Sequence, residues 1–381
     1  MISELMKEFE NLREENIISL KRAHEEGRKV AGMYCLYSPT EVVVAAGAIP
    51  VPLCGTRLDP IPAAERVLPR NLCPLIKSSY GFAVTDTCPY FHFSDILVAE
   101  TTCDGKKKMY ELLSAIKPLH LLQLPQSQDS FGALDYWYNE IKRFKERLET
   151  EFGIKITEDD LRAGIRLINE ERRSLKELQD LCKMKPAPVS GMDLLTVLFM
   201  RGFQGDKRQA VEMVDNLTAK LRDAAVRGES PFNGQTPRIL LTGVPVGIGS
   251  HKVVRIIEEC GGNVVCFESC GGYKGCYEPV DEGKEPLMAI AEKYLRIPCS
   301  CMSPNPGRFD LLINLIDEFC VDGVVDLTWQ ACHTYNVESF RLKKHIQENR
   351  RLPFLQIETD YSESDIEQLK VRVEAFLEMI A

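Results

Sequence analysis

Fourteen cysteines among 381 residues are the side chains best placed to do chemistry. They fall well short of the roughly 8–10% that marks a small disulfide scaffold. The opening MISELMKEFENLREENIISLKRAHEEGRK is crowded with charge and lacks the apolar run of a secretory leader, so the chain is expected in the cytoplasm. Disulfides are rare there. Thiols in that compartment serve as metal ligands, as redox groups or as small buried hydrophobes.

The segments around these thiols alternate between strand and helix patterns. Residues 1–28 read as an amphipathic helix, with Leu5, Met6, Phe9, Leu12, Ile17, Ile18 and Leu20 at helical spacing. A first α/β domain is expected over 29–130. In it Ser38 is placed as a helix cap, with Pro39 in the first turn and Glu41 closing a capping box. AIPVPL, DILVAE (95–100) and HLLQL (120–124) read as its strands. Residues 131–235 read as a helical connecting region, with TEDD (157–160) capping its second helix. A second α/β domain fills 236–381, with strands RILLTG, NVVCFE, VVDLTW and LPFLQIET. The expected fold class is therefore α/β: two Rossmann-like parallel-sheet domains with an N-terminal helix and a helical connecting segment.

In open parallel sheets, sites form beyond the carboxyl ends of the strands. Cys103, Cys270 and Cys332 each follow a strand, and Cys103 and Cys332 also precede helices. Cys73 stands before Pro74, a good first helical residue. Cys276, Cys299 and Cys301 lie in Gly/Pro/Ser-rich loops. Cys54, Cys182, Cys260, Cys266 and Cys320 fall inside or at the ends of apolar elements and suit packing. Cys35 and Cys88 fit either role. A helix N-terminus offers free N–H groups and a positive dipole end, which stabilise a thiolate or an anionic iron–sulfur cluster.

Spacing alone leaves a cluster, zinc and redox thiols all open. No C-x2-C pair of the structural zinc kind is present; the close spacings are C-x3-C (266, 270), C-x5-C (270, 276) and C-x-C (299, 301). GVPVGIG (243–249) follows a strand but lacks the Lys-Ser/Thr of a phosphate loop and the G-x-G-x-x-G order of a dinucleotide site, so it reads as a tight turn packed near the site. His333, beside Cys332, is a candidate hydrogen-bond or proton donor, although a plain structural role suits it at least as well.

Three segments, NLCPLIKSSYGF (72–83), ETTCDGKKKMYELL (100–113) and WQACHTYNVES (329–339), resemble the 2-hydroxyacyl-CoA dehydratase superfamily. The likeness extends from SPTEVVVAAGAIPV to the closing IETDYSESDIEQL. It implies that Cys73, Cys103 and Cys332 hold a [4Fe-4S] cluster. The additional cysteines of ESCGGYKGC and IPCSCMSPN resemble the double-cubane branch, in which two cubanes share a bridging sulfide and each takes three thiolates. That resemblance implies an [8Fe-9S] cluster with Cys270, Cys276 and Cys301 as further ligands; Cys299 and Cys88 are the rivals.

The same branch implies a homodimeric iron–sulfur reductase, supplied with electrons by an ATP-hydrolysing [4Fe-4S] reductase and acting on small molecules such as acetylene. A 2-hydroxyacyl-CoA dehydratase subunit with one [4Fe-4S] cluster is the enzyme alternative. An electron carrier or a zinc-stabilised scaffold is the non-catalytic one. The net charge of −9 argues against nucleic acid as a partner, and the longest apolar stretch, residues 42–54, is too short to span a bilayer.

Overall fold

The computed structural model describes residues 2–380; the side chains of residues 2–5, 8 and 10 lie outside that description, Leu5 of the expected apolar face among them. The chain begins with helix α1 (Ile2–Glu25), which lays Met6, Phe9, Leu12 and Leu20 on the core while Ile18 is exposed. The first domain then runs β1 (Val30–Met33), α2 (Thr40–Ala45), β2 (Ile49–Pro52), α3 (Ile61–Ala64), α4 (Pro74–Thr85), α5 (Pro89–Phe93), β3 (Ile96–Glu100), α6 (Asp104–Leu113) and β4 (Leu119–Leu122). Between the domains lie α7 (Ala133–Phe152), α8 (Glu158–Asp180), α9 (Gly191–Met200) and α10 (Lys207–Val226). The second domain runs β5 (Arg238–Gly243), α11 (Lys252–Glu259), β6 (Asn263–Phe267), α12 (Tyr273–Cys276), α13 (Pro286–Leu295), α14 (Pro306–Glu318), β7 (Gly323–Trp329), α15 (His333–Arg350), β8 (Phe354–Thr359) and α16 (Ile366–Glu378).

Both sheets are wholly parallel. Their orders, β2-β1-β3-β4 and β6-β5-β7-β8, are the same pattern used twice. In each, the chain leaves its first strand for one edge and returns across it toward the other. This puts the reversal of strand order between β1 and β3 in one domain and between β5 and β7 in the other, where parallel sheets open a crevice at their carboxyl ends.

Three local expectations change. Ser38 is not a cap: the helix starts at Thr40 behind Pro39 with no side-chain cap, and the Ser38 hydroxyl donates instead to the buried Glu100 carboxylate. Glu41 closes no capping box. It is fully buried and pairs with Arg172 of α8 at 2.6 Å, because two buried charges facing each other need a partner more than a helix end needs a cap. β1 and α9 carry no periodic signal. β1 is VAGM, four buried residues at the centre of a sheet, and α9, LLTVLF at its middle, is apolar on most of its surface. The expected cap at Thr157 holds: its hydroxyl accepts from the Asp160 N–H at 3.2 Å while Asp160 accepts from the Thr157 N–H at 2.8 Å.

GVPVGIG is a packing turn, not a phosphate loop. Gly243 has φ +110°, and a Cβ there would lie 2.0 Å from the Leu327 carbonyl of the neighbouring strand. Gly249 backs onto Thr56 of the first domain, and the Thr56 hydroxyl donates to the Ile248 carbonyl at 2.9 Å. Tyr361 donating to the Gly55 carbonyl and Tyr37 donating to the Ile297 carbonyl, both at 2.9 Å, tie the domains at other points of the same cleft.

Candidate functional site

The cleft between the two sets of strand ends gathers thiols. Cys73, Cys103 and Cys332 are the N-cap residues of α4, α6 and α15. Backbone N–H groups one turn on point at their sulfurs: Leu75 and Ile76 at Cys73, Lys106 at Cys103, and Tyr335 at Cys332. Cys73 and Cys332 interact across the domain boundary, each shifting the other's pKa, and Cys103 acts electrostatically on both. The Cys332 thiol and the amides lower the Cys73 pKa against its burial, while burial raises that of Cys103.

A second group lies beside the first. Cys299, a free thiol like its neighbours, interacts with Cys301, with Cys270 and, from just beyond β1, with Cys35. Tyr37 hydrogen-bonds to Cys301. The Tyr335 hydroxyl lies 3.8 Å from Cys299 Sγ, and the Thr334 hydroxyl bonds to Cys332 and accepts from Ser300 at 3.3 Å. One helical turn, 332–335, therefore touches both groups. The Cys301 thiol, aided by the Lys274 charge, holds the Cys299 pKa at about 5; burial pushes Cys270 up to about 12 against the same charge.

The other cysteines differ in setting. Cys276 closes the short helix α12 and accepts from Gln179 Nε2 at 3.1 Å, and it borders the same cavity as Cys270. Cys88 caps α5 beside Tyr34 and Tyr90. Cys182 and Cys266 are buried in the core. Cys320 was expected to pack, yet it is exposed, in a φ +47° turn after α14 whose backbone turns the side chain outward. His333 is exposed at the start of α15, and it is its neighbours Thr334 and Tyr335 that reach the thiols.

Behind the second group is an ionic network that sequence patterns gave no sign of. Lys274, fully buried, pairs with Glu268 at 2.7 Å and donates to Tyr335 at 3.3 Å. Arg308 of α14, also fully buried, faces Glu268 at 3.6 Å and Asp326 at 3.8 Å and pairs with Glu338. Thr242 donates to Glu268 at 2.7 Å. Burial raises the Asp326 pKa. These residues come from five elements and the loop after β6, so no spacing links them. In the first domain, burial raises Glu100 to about 8 against the charge of Lys106.

Among the described residues, no three His, Cys, Asp or Glu side chains close on a point as they would around a single ion. A four-iron cubane takes one thiolate per iron, so its ligands need not meet so tightly. Three thiols on helix N-termini, each with amide donors, suit an anionic cluster better than a lone cation. A cavity of about 290 Å³ adjoins the thiols, bordered by Cys35, Cys54, Cys270 and Cys276 and by residues of α8, α9 and the turn after α9. No helix among the described residues is long and apolar enough to cross a membrane.

The family described as 2-hydroxyglutaryl-CoA dehydratase, D-component, matches residues 35–380. A protein of Escherichia coli (strain K12), named only provisionally as a dehydratase subunit, is 46% identical over 376 residues, 99% of this chain and 98% of that protein. The (R)-phenyllactyl-CoA dehydratase beta subunit of Clostridium sporogenes is 23% identical over 365 residues, 95% and 94% of the two chains. One of the subunits of the benzoyl-CoA reductase of Thauera aromatica is 26% identical over 180 residues, 46% and 45% of the two.

Proposed function

Because the chain belongs to the 2-hydroxyglutaryl-CoA dehydratase D-component family, we propose that it is an iron–sulfur reductase subunit whose two groups of thiols hold a double-cubane [8Fe-9S] cluster. The observation that carries this reading is the second group: one cubane in this family resemblance needs Cys73, Cys103 and Cys332 alone, yet Cys270, Cys299 and Cys301 lie beside them across the turn 332–335. Cys299 takes the place that sequence reasoning gave Cys276, since it interacts with Cys270, Cys301 and Cys35 while Cys276 is turned onto Gln179. The units are taken as residues 29–130 and 236–381, joined by 131–235, with the helix 1–28 in front.

When bound, such a cluster supplies electrons at low potential. The chain's own groups hold it and set its surroundings. The amides of Leu75, Ile76, Lys106 and Tyr335 direct N–H bonds at the ligand sulfurs. The Lys274 ammonium, fixed by Glu268, offsets thiolate charge at Cys270 and Cys299, and the Tyr335 hydroxyl stands 3.8 Å from Cys299 Sγ as a hydrogen-bonding group. The proposal includes a homodimer in the cytoplasm, an ATP-hydrolysing [4Fe-4S] reductase as electron donor, and small substrates of the acetylene kind.

A dehydratase subunit with one [4Fe-4S] cluster is the second reading, favoured by the name of the Clostridium relative. Iron and acid-labile sulfide in anaerobically purified protein separate the two. The double cubane gives about eight irons per chain, a single cubane about four. Zinc without sulfide overturns both.

A further inference from the structure

The cavity beside the thiols has a charged wall that the cluster reading does not use. Glu171 of α8 is paired with two cations at once: Arg201 Nη1 at 2.9 Å and Lys207 Nζ at 3.4 Å. All three border the cavity. Lys207 and Glu171 are more than nine-tenths buried. One carboxylate against two cations leaves the cluster of charges short of an anion. Arg201 is short of an acceptor as well: with Nη1 on Glu171, its Nε is buried and makes no bond within the protein. A guanidinium edge in that condition fits a planar carboxylate, which accepts at both oxygens. Arg172, on the same wall, is already neutralised by Glu41 at 2.6 Å and adds no further need.

Most of the remaining surface is apolar, with Lys106, Gln179 and a few hydroxyl groups elsewhere on the wall. Leu195, Leu198 and Phe199 of α9 and Val246 of the turn after β5 face the same space. A bare inorganic anion would leave these surfaces against water. At about 290 Å³ the cavity stands at the small end of ligand pockets, roughly 300–1,000 Å³, so it suits a small molecule and is too small to enclose a coenzyme A thioester.

We infer that this cavity binds a small organic carboxylate, with its carboxylate on Arg201 and Lys207 and its apolar body against Leu195, Leu198 and Phe199. Cys270 borders the same cavity, which places the bound molecule beside the second thiol group. The contacts with Arg201, Lys207 and the apolar wall do not involve the cluster ligands; calling the carboxylate the substrate rests on the reductase reading.

The test is calorimetry on the anaerobically purified protein with crotonate, its uncharged analogue crotonamide, and inorganic phosphate. Crotonate should bind one per chain, and the other two at least tenfold more weakly. Equal binding of crotonamide overturns the role of the cations, and equal binding of phosphate overturns the role of the apolar wall. Two variants then act in opposite directions. Arg201→Gln removes a cation and should weaken crotonate about tenfold or more, as for the loss of a charge-assisted hydrogen bond. Glu171→Gln removes the competing anion and should tighten it. If both variants weaken binding alike, the three side chains serve only structure and the inference fails. The wild-type comparison stands even if a variant does not fold. Crotonate bound by a protein that contains no iron keeps this site and removes the reductase reading; iron and sulfide without crotonate binding do the reverse.

Discussion

Neutralising Glu171 tests the charged wall by stability as well as by binding. Burial alone would raise the Glu171 pKa, but Lys207 and Arg201 outweigh it and hold the group at about 2 instead of the ordinary 4.5. The gap, at about 1.36 kcal/mol per pH unit, corresponds to roughly 3 kcal/mol of stability. Since the folded-state pKa is the depressed one, this stabilisation is present in full above pH 4.5 and is lost as pH falls toward 2. Glu171→Gln mimics the protonated acid, so it should be about 3 kcal/mol less stable than wild type at pH 7. Linkage with these two pKa values leaves roughly half that difference at pH 3. Urea unfolding followed by the fluorescence of Trp137 and Trp329, both buried, reads the difference across that range. A difference under about 1 kcal/mol at pH 7, or one that stays constant from pH 7 to pH 3, would refute the argument that Arg201 and Lys207 depend on an ionised Glu171.

Further outcomes are expected. Cys73→Ser, Cys103→Ser and Cys332→Ser should each lose iron, whereas Cys182→Ala and Cys266→Ala keep it; iron analysis that fails to separate the sets would remove the ligand assignment. Cys270→Ala and Cys299→Ala should lose roughly half the iron while Cys276→Ala retains it all, and full retention in the first two would leave a single cubane. Lys274→Met leaves Glu268 buried with Arg308 alone at 3.6 Å, so it should cost about 3 kcal/mol and move the cluster to a lower midpoint potential in a redox titration, while Lys274→Arg keeps the potential near wild type. Gly243→Ala forces a Cβ to 2.0 Å from the Leu327 carbonyl in a left-handed backbone; a loss of at least about 2 kcal/mol by chemical denaturation is expected, and a neutral result would contradict the close approach of β5 and β7.

The repeated strand order gives the cleft its character. Each domain delivers thiols from the same side of its sheet, and because the two sides face one another, groups distant in sequence share one site. Cys73 and Cys332 are separated by more than half the chain, yet they interact in one cleft. Helix N-termini from both domains point into the same space. An anionic group held there would be stabilised by both, and it would also fasten the domains together.

Local marks in the chain carry the frame. Strand and helix periods reported the α/β class, and proline, glycine and capping residues placed most boundaries, because these signals act over one or two turns. The position of Cys73, Cys103 and Cys332 at helix starts was legible for the same reason: Pro74 and the strand ends beside Cys103 and Cys332 are local marks. The features that local marks do not reveal depend on pairs far apart in the chain. Ser38 looked like a cap and instead serves Glu100; Glu41 looked like a capping-box acid and instead neutralises Arg172. Cys276 and Cys299 both read as loop residues in the sequence, and spacing does not tell that one closes a short helix against Gln179 while the other turns to Cys301, Cys270 and Cys35. Lys274, Glu268 and Arg308 form one buried network, and Glu171, Arg201 and Lys207 another, with no periodicity to announce either. A buried charge is tolerated only where the fold brings it a partner, so the identity of that partner is a property of packing and not of the local sequence.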